Sequence, residues 1–135
     1  MMQKKIKVGV IGAGHLGKHH IKHLSKHPSV ELVGFFDLDK NNAQKVSKKF
    51  SVKSFNNQKD LIDAVDGINI AVPTTAHCEI AINCLENKKD VFIEKPIAST
   101  VAEAKKIIKT AEKNKNIVQV GHVERFNPTI NQLKQ

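Results

Sequence analysis

The apolar positions of this chain fall in short runs rich in Val and Ile, and the stretches between them repeat their apolar residues at helical spacing. Strands buried on both faces read as continuous apolar runs, so this alternation predicts a parallel sheet with helices on both sides. Strands are expected at Ile6 to Ile11, Val30 to Asp37, Gly67 to Val72, Asp90 to Glu94 and Ile117 to Val120, with a weaker one near Val52 to Phe55. Helices are expected at His15 to His27, closed by Pro28, and at Asn41 to Phe50, Gln58 to Val65, Thr75 to Asn87 and Thr100 to Asn114; a last helix begins at Phe126. Six strands joined by right-handed crossovers predict an α/β, doubly wound sheet in the order 3-2-1-4-5-6.

At 135 residues the chain has room for one domain burying roughly two thirds of the surface its unfolded form exposes. Hydrophobic residues make up 40% and charged residues 26%, an ordinary globular mix, and no linker, repeat or low-complexity tract divides it. The formal charge of +9 raises the question of nucleic acid. The basic residues, however, are scattered, all are Lys except Arg125, and no Trp or Tyr is present to stack on bases, so a solvated lysine surface is expected and nucleic acid is not. Cys78 and Cys84 lie on different sides of one predicted helix, which suits reduced thiols in a cytoplasmic protein. The basic start, Met1 to Lys7, leads into a glycine loop rather than a cleavage site, and no apolar run is long enough to cross a membrane.

Directly after the first predicted strand stands Gly12-Ala13-Gly14-His15-Leu16-Gly17, where a helix must begin. Gly12 permits the tight turn, Gly14 lets a pyrophosphate approach the backbone, and Gly17 lets the helix pack closely on the strand, while the helix N-terminus offers amide donors and partial positive charge. Asp37 follows at the end of the second strand, where a carboxylate accepts hydrogen bonds from both hydroxyls of an adenosine ribose. The pair is the Rossmann fingerprint for a dinucleotide. The carboxylate repels a 2′-phosphate, and Leu38 and Asp39 provide no Arg to receive one, so NAD is expected over NADP.

His15, His19, His23 and His27 recur every four residues, a spacing that can hold a transition metal. No carboxylate or thiolate nearby completes such a site, and the stripe reads as a solvated face opposite Leu16, Ile21 and Leu24, with His20 nearer the packed side; no metal is expected. In an open doubly wound sheet, ligands bind beyond the carboxyl ends of the strands. The groups there are Pro73-Thr74-Thr75-Ala76-His77, Glu94-Lys95-Pro96 and Gly121-His122-Val123-Glu124-Arg125-Phe126-Asn127-Pro128. Arg125, as the single arginine, suggests a planar bidentate contact, either with ligand or with a neighbouring carboxylate. Thr74 and His77 could equally cap the following helix.

Taken together these motifs resemble the glucose-fructose oxidoreductase and inositol dehydrogenase (Gfo/Idh/MocA) family over essentially the whole chain, and the GHVERFNP segment is similar to the branch that oxidises UDP-N-acetylhexosamines at C3. The resemblance implies NAD(P)-dependent oxidation or reduction of a hydroxyl on a sugar, cyclitol or nucleotide sugar. It implies that Glu94 and Lys95 contact the nicotinamide ribose, with Lys95 polarising the substrate hydroxyl or assisting proton transfer. It further implies that Pro73, Thr74 and His77 line the cofactor cleft, that Pro96 follows a cis peptide, and that His122, Arg125 and Asn127 face nicotinamide and substrate. Members of the family continue into a C-terminal domain that walls the substrate site and makes the homo-oligomer. Residues 1–125 are therefore expected to form the cofactor domain and 126–135 the start of a linker helix, giving a chain that binds NAD(H) without catalysing alone. The alternative is a non-catalytic NAD-binding sensor or regulatory module, which has no need of a lysine beside the nicotinamide.

Overall fold

A computed structural model describes residues 3–133. Five parallel strands form one sheet: β1 (Ile6–Ile11), β2 (Val30–Phe36), β3 (Gly67–Ile70), β4 (Asp90–Glu94) and β5 (Val118–Gly121), in the spatial order β2-β1-β3-β4-β5. The helices are α1 (His15–Leu24), α2 (Lys40–Phe50), α3 (Gln58–Asp63), α4 (His77–Glu86), α5 (Val101–Asn114) and α6 (Pro128–Leu133), with short 3-10 turns at Thr74–Ala76 and Val123–Phe126. This is the doubly wound α/β arrangement expected, with the order reversing between β1 and β3.

The expected strand at Val52 to Phe55 is the departure. It is reduced to a single parallel bridge between Phe35 and Ser54, so the sheet has five strands, not six. Backbone bonds from Phe35 N to Lys53 O and from Phe55 N to Phe35 O tie the segment to the outer edge of β2, the place foreseen for it. It comes that close because residue 34 is glycine: a Cβ there would stand 2.6 Å from the Lys53 carbonyl oxygen. Beyond this bridge the chain turns away through Asn56 and Asn57, whose side chain accepts from Asp60 N and caps α3, so the pairing stops after one rung.

Period-two alternation distributes the strands' side chains to two cores. On one face Val10, Ala13, Ile21, Phe35, Ala43 and Val46 pack under α1 and α2. On the other, Ile11, Ile68, Ile70, Val91 and Ile93 pack with Leu61 of α3, Cys84 and Leu85 of α4 and Ile107 of α5. Helix starts are written in the sequence: Asp39 caps α2, and Thr100 and Glu103 form a reciprocal capping box on α5. α1 ends at Leu24 rather than His27, because Lys26 N and His27 N turn back to the carbonyls of His23 and Leu24 in a tighter coil before Pro28. No helix among the described residues is long and apolar enough to cross a membrane.

Both cysteines on α4 are free. Burial pushes the Cys84 thiol up to about 12, so the folded chain keeps it protonated where the unfolded chain, with an ordinary value of 9.0, ionises it. The stability carried by this thiol is complete below the unfolded value and is lost as the pH climbs toward the folded one. Wild type should therefore lose urea resistance more steeply than Cys84→Ala between about pH 9 and 11; parallel curves would contradict the burial argument.

Candidate functional site

The switch between β1 and β3 opens a cleft of about 430 Å³ at the carboxyl ends of the strands, within the range of small-molecule sites. Its walls come from Gly12 and Gly14 on one side, Asp37 and Leu38 after β2, and Val72, Pro73, Thr75 and Ile80 after β3.

The loop from β1 to α1 depends on its glycines, each for a different reason. Gly12 has φ +94°, and a Cβ on it would meet the Ala71 carbonyl oxygen at 2.4 Å. At Gly17 a Cβ would lie 1.9 Å from the Gly12 carbonyl oxygen. Gly14 is the contrast, with nothing within 4 Å of where its Cβ would be, in the open cleft rather than against the protein. Gly14 is also the N-cap of α1 and brings no side-chain cap, whereas α2, α3 and α5 begin with Asp39, Asn57 and Thr100 bonded to their first amides. The first amides of α1 are thus left for an anion, with the helix dipole behind them. His15 and Leu16, on this first turn, are exposed.

Asp37 stands at the cleft's far wall, half-buried and held on both oxygens. Ala13 N donates to Oδ2 at 2.7 Å and Asp39 N to Oδ1 at 2.8 Å. Asn42 of α2 donates to the Ala13 carbonyl at 3.0 Å and reaches Asp37 Oδ2 at 3.3 Å, tying the phosphate loop to α2. A carboxylate has about four lone-pair sites, so these bonds orient Asp37 without exhausting it. Asn42 was not foreseen; an Asn three residues after a cap carries no local signal of a bond to residue 13.

The groups expected at the other strand ends fall into three kinds. Thr74 is half-buried and Pro73 exposed at the cleft mouth, and no side-chain cap of Thr74 precedes the helix. His77 is 1% exposed, so it does not surface the cleft. Its Nδ1 lies 2.9 Å from the Pro96 carbonyl oxygen and its Nε2 2.9 Å from that of Val72, clamping the loops after β3 and β4 together. The Lys95–Pro96 peptide is cis, with both residues exposed at the sheet's carboxyl edge. Glu94 is turned to the face of the sheet under α1, its Oε1 2.7 Å from Nε2 of His20.

His122, Arg125 and Asn127 are exposed after β5. Asn127 accepts from Thr129 N at 3.0 Å, which makes it the start of α6, and donates to Glu124 at 3.0 Å. Arg125 makes no ion pair among the described residues. His15 and His19 pack edge to face with ring centroids 5.1 Å apart, and among the described residues no group of three metal-binding side chains gathers.

A glycine loop follows β1, an oriented carboxylate follows β2 and a cis Lys95–Pro96 turn follows β4. The family model described as the GFO/IDH/MocA oxidoreductase family, NAD-binding Rossmann fold, matches residues 6–122. The chain belongs to this family. It is 38% identical over 128 residues to glucose-6-phosphate 3-dehydrogenase of Bacillus subtilis, a match covering 95% of this chain and 37% of that protein. Its structure is similar to that of UDP-N-acetylglucosamine 3-dehydrogenase from Acidithiobacillus ferrooxidans, with a TM-score of 0.89 at 29% identity over 98% of this chain and 43% of that one. It is also similar to myo-inositol 2-dehydrogenase from Lactobacillus plantarum, with a TM-score of 0.87 at 31% identity over 97% and 40%. The chain thus spans about two fifths of the length of these relatives.

Gly14, facing open space, and Gly17, pressed on backbone, make a paired test of the cradle. Gly14→Ala should leave the thermal midpoint nearly unchanged, within about 0.5 kcal/mol, while weakening NADH binding, because its methyl occupies only the space a pyrophosphate needs. Gly17→Ala should cost about 1 to 3 kcal/mol or more, because its methyl meets backbone. Calorimetry of both variants, with and without NADH, checks the pair; equal stability losses would contradict it.

Proposed function

We propose that this chain is the cofactor-binding half of an NAD-dependent oxidoreductase acting on a hydroxyl of a sugar, cyclitol or nucleotide sugar, and that it prefers NAD(H) to NADP(H). The carrying observation is Asp37. Its carboxylate is fixed by Ala13 N and Asp39 N at the cleft wall, presenting negative charge where the adenosine ribose fits and a 2′-phosphate does not. The apolar side chains of Leu38, Val72 and Ile80 suit the adenine, and the uncapped start of α1 suits the pyrophosphate.

The bound nicotinamide supplies the hydride acceptor. On this chain's side of the reaction, Lys95 is the candidate catalytic residue: its Nζ would donate to the substrate oxygen and polarise that hydroxyl. Glu94 turns toward α1 and Lys95 stays exposed, so the two neighbours divide the work. Pro73, Thr74, Pro96, His122, Arg125 and Asn127 border the nicotinamide end in this reading, and His77 acts through the loops it joins. The glucose 6-phosphate, inositol and UDP-N-acetylglucosamine named for the relatives share a ring hydroxyl, which sets the substrate class. Free thiols on α4 fit a reducing compartment such as the cytoplasm.

Titration calorimetry with NADH and NADPH checks the preference. NADH should bind more tightly, and Asp37→Ala should lose about tenfold or more in NADH affinity and abolish the difference; equal wild-type affinities refute it. The purified chain should bind NADH and yet reduce no NAD with glucose 6-phosphate, myo-inositol or UDP-N-acetylglucosamine, since the described residues wall the cofactor but not a substrate held about 3 to 3.5 Å from it. Turnover that disappears in Lys95→Ala would refute that separation of binding from catalysis.

A further inference from the structure

β3 is apolar apart from Asn69, whose register partner on β4 is Phe92 and whose side chain points to the α1 face of the sheet. Its Nδ2 donates to His20 Nδ1 at 2.9 Å, and His20 Nε2 in turn lies 2.7 Å from Glu94 Oε1. The His20 ring packs against Phe92 with centroids 5.5 Å apart. The side chains of His20 and Glu94 are only 13% and 15% exposed.

A carboxylate oxygen only accepts, so the proton must sit on Nε2, and Nδ1 is then free to accept from Asn69. One neutral ring therefore spans three elements. It joins α1, whose N-terminus forms the phosphate cradle, to Glu94, which immediately precedes the cis Lys95–Pro96 turn. The second oxygen of Glu94, Oε2, accepts from Lys95 N at 3.3 Å, and a Cβ on Gly121 at the end of β5 would stand 3.1 Å from it. Glu94 is thus held between α1 and β5, with His20 its only side-chain partner among the described residues.

We propose that His20, locked as the Nε2–H tautomer by Asn69, is a positioning residue that sets Glu94 and the Lys95 turn for the nicotinamide end of the cofactor. This rests on the reading that the chain binds NAD(H). His20 touches neither cofactor nor substrate; it acts through Glu94.

The test separates the two ends of the cofactor by titrating NADH and ADP, which shares the adenosine and diphosphate but lacks the nicotinamide riboside. His20→Phe keeps the ring against Phe92 and removes both hydrogen bonds. It should weaken NADH by about tenfold and ADP by no more than about twofold. His20→Gln, whose amide both donates and accepts, should recover most of the loss. On the wild-type chain, ¹⁵N NMR should find His20 protonated on Nε2 and bare on Nδ1, a readout independent of how any variant folds. Parallel losses of NADH and ADP, an unchanged NADH affinity in His20→Phe, or an Nδ1–H tautomer would each overturn the assignment of His20 while leaving cofactor binding intact. Failure of the wild-type chain to bind either nucleotide would overturn the NAD(H) reading and this inference with it.

Discussion

The closeness of α1 to the turn that precedes it governs the rest of the structure. With the Gly12 carbonyl 1.9 Å from where a Gly17 Cβ would be, no other residue at 17 lets the helix lie so near β1. That proximity aims the unpaired amides of α1 at the cleft. It also decides what happens one turn further along. Residues three and four apart share a helix face, so pressing Gly17 onto the sheet brings His20 and Ile21 down with it. Ile21 enters the apolar core, and His20 lands between Asn69 and Glu94. The phosphate cradle and the histidine bridge are therefore two consequences of one steric fact.

Local chemistry made much of this legible in the sequence. β1 and β4 have the bounds that their Val and Ile runs predict, α5 lies where a helix from Thr100 to Asn114 is expected, with Thr100 as its cap, and the glycine loop and Asp37 meet through the Ala13 amide. The failures share a cause. Val52 to Phe55 has strand composition, but its fate depended on how many rungs the edge of β2 would accept. His77 reads locally as a cap or a ligand, and only the return of Pro96, nineteen residues on, makes it a buried clamp. His20 takes its partners 49 and 74 residues away, a separation that no hydrophobic period encodes. The available signal was an Asn inside an otherwise apolar strand, since a polar side chain half-buried there is held by a partner.

The two histidines together suggest how the halves of the site differ in rigidity. The half proposed for the adenosine is a formed cleft whose carboxylate and loop are fixed by backbone amides. The turns after β3, β4 and β5, proposed to border the nicotinamide, carry the exposed residues Pro73, Lys95, Pro96 and His122. His77 ties the first two of these turns through their carbonyls, and His20 ties the second to α1 through Glu94. A buried ring bonded to loop backbone and to a carboxylate restrains the elements it joins. The turn carrying Lys95 is consequently held from both faces of the sheet, by His77 at the start of α4 and by His20 beneath α1, although Lys95 itself is exposed. For the role proposed for Lys95, an ammonium on a flexible stem needs a fixed base if it is to meet a hydroxyl in one geometry, and two imidazoles hold that base from opposite faces of the sheet.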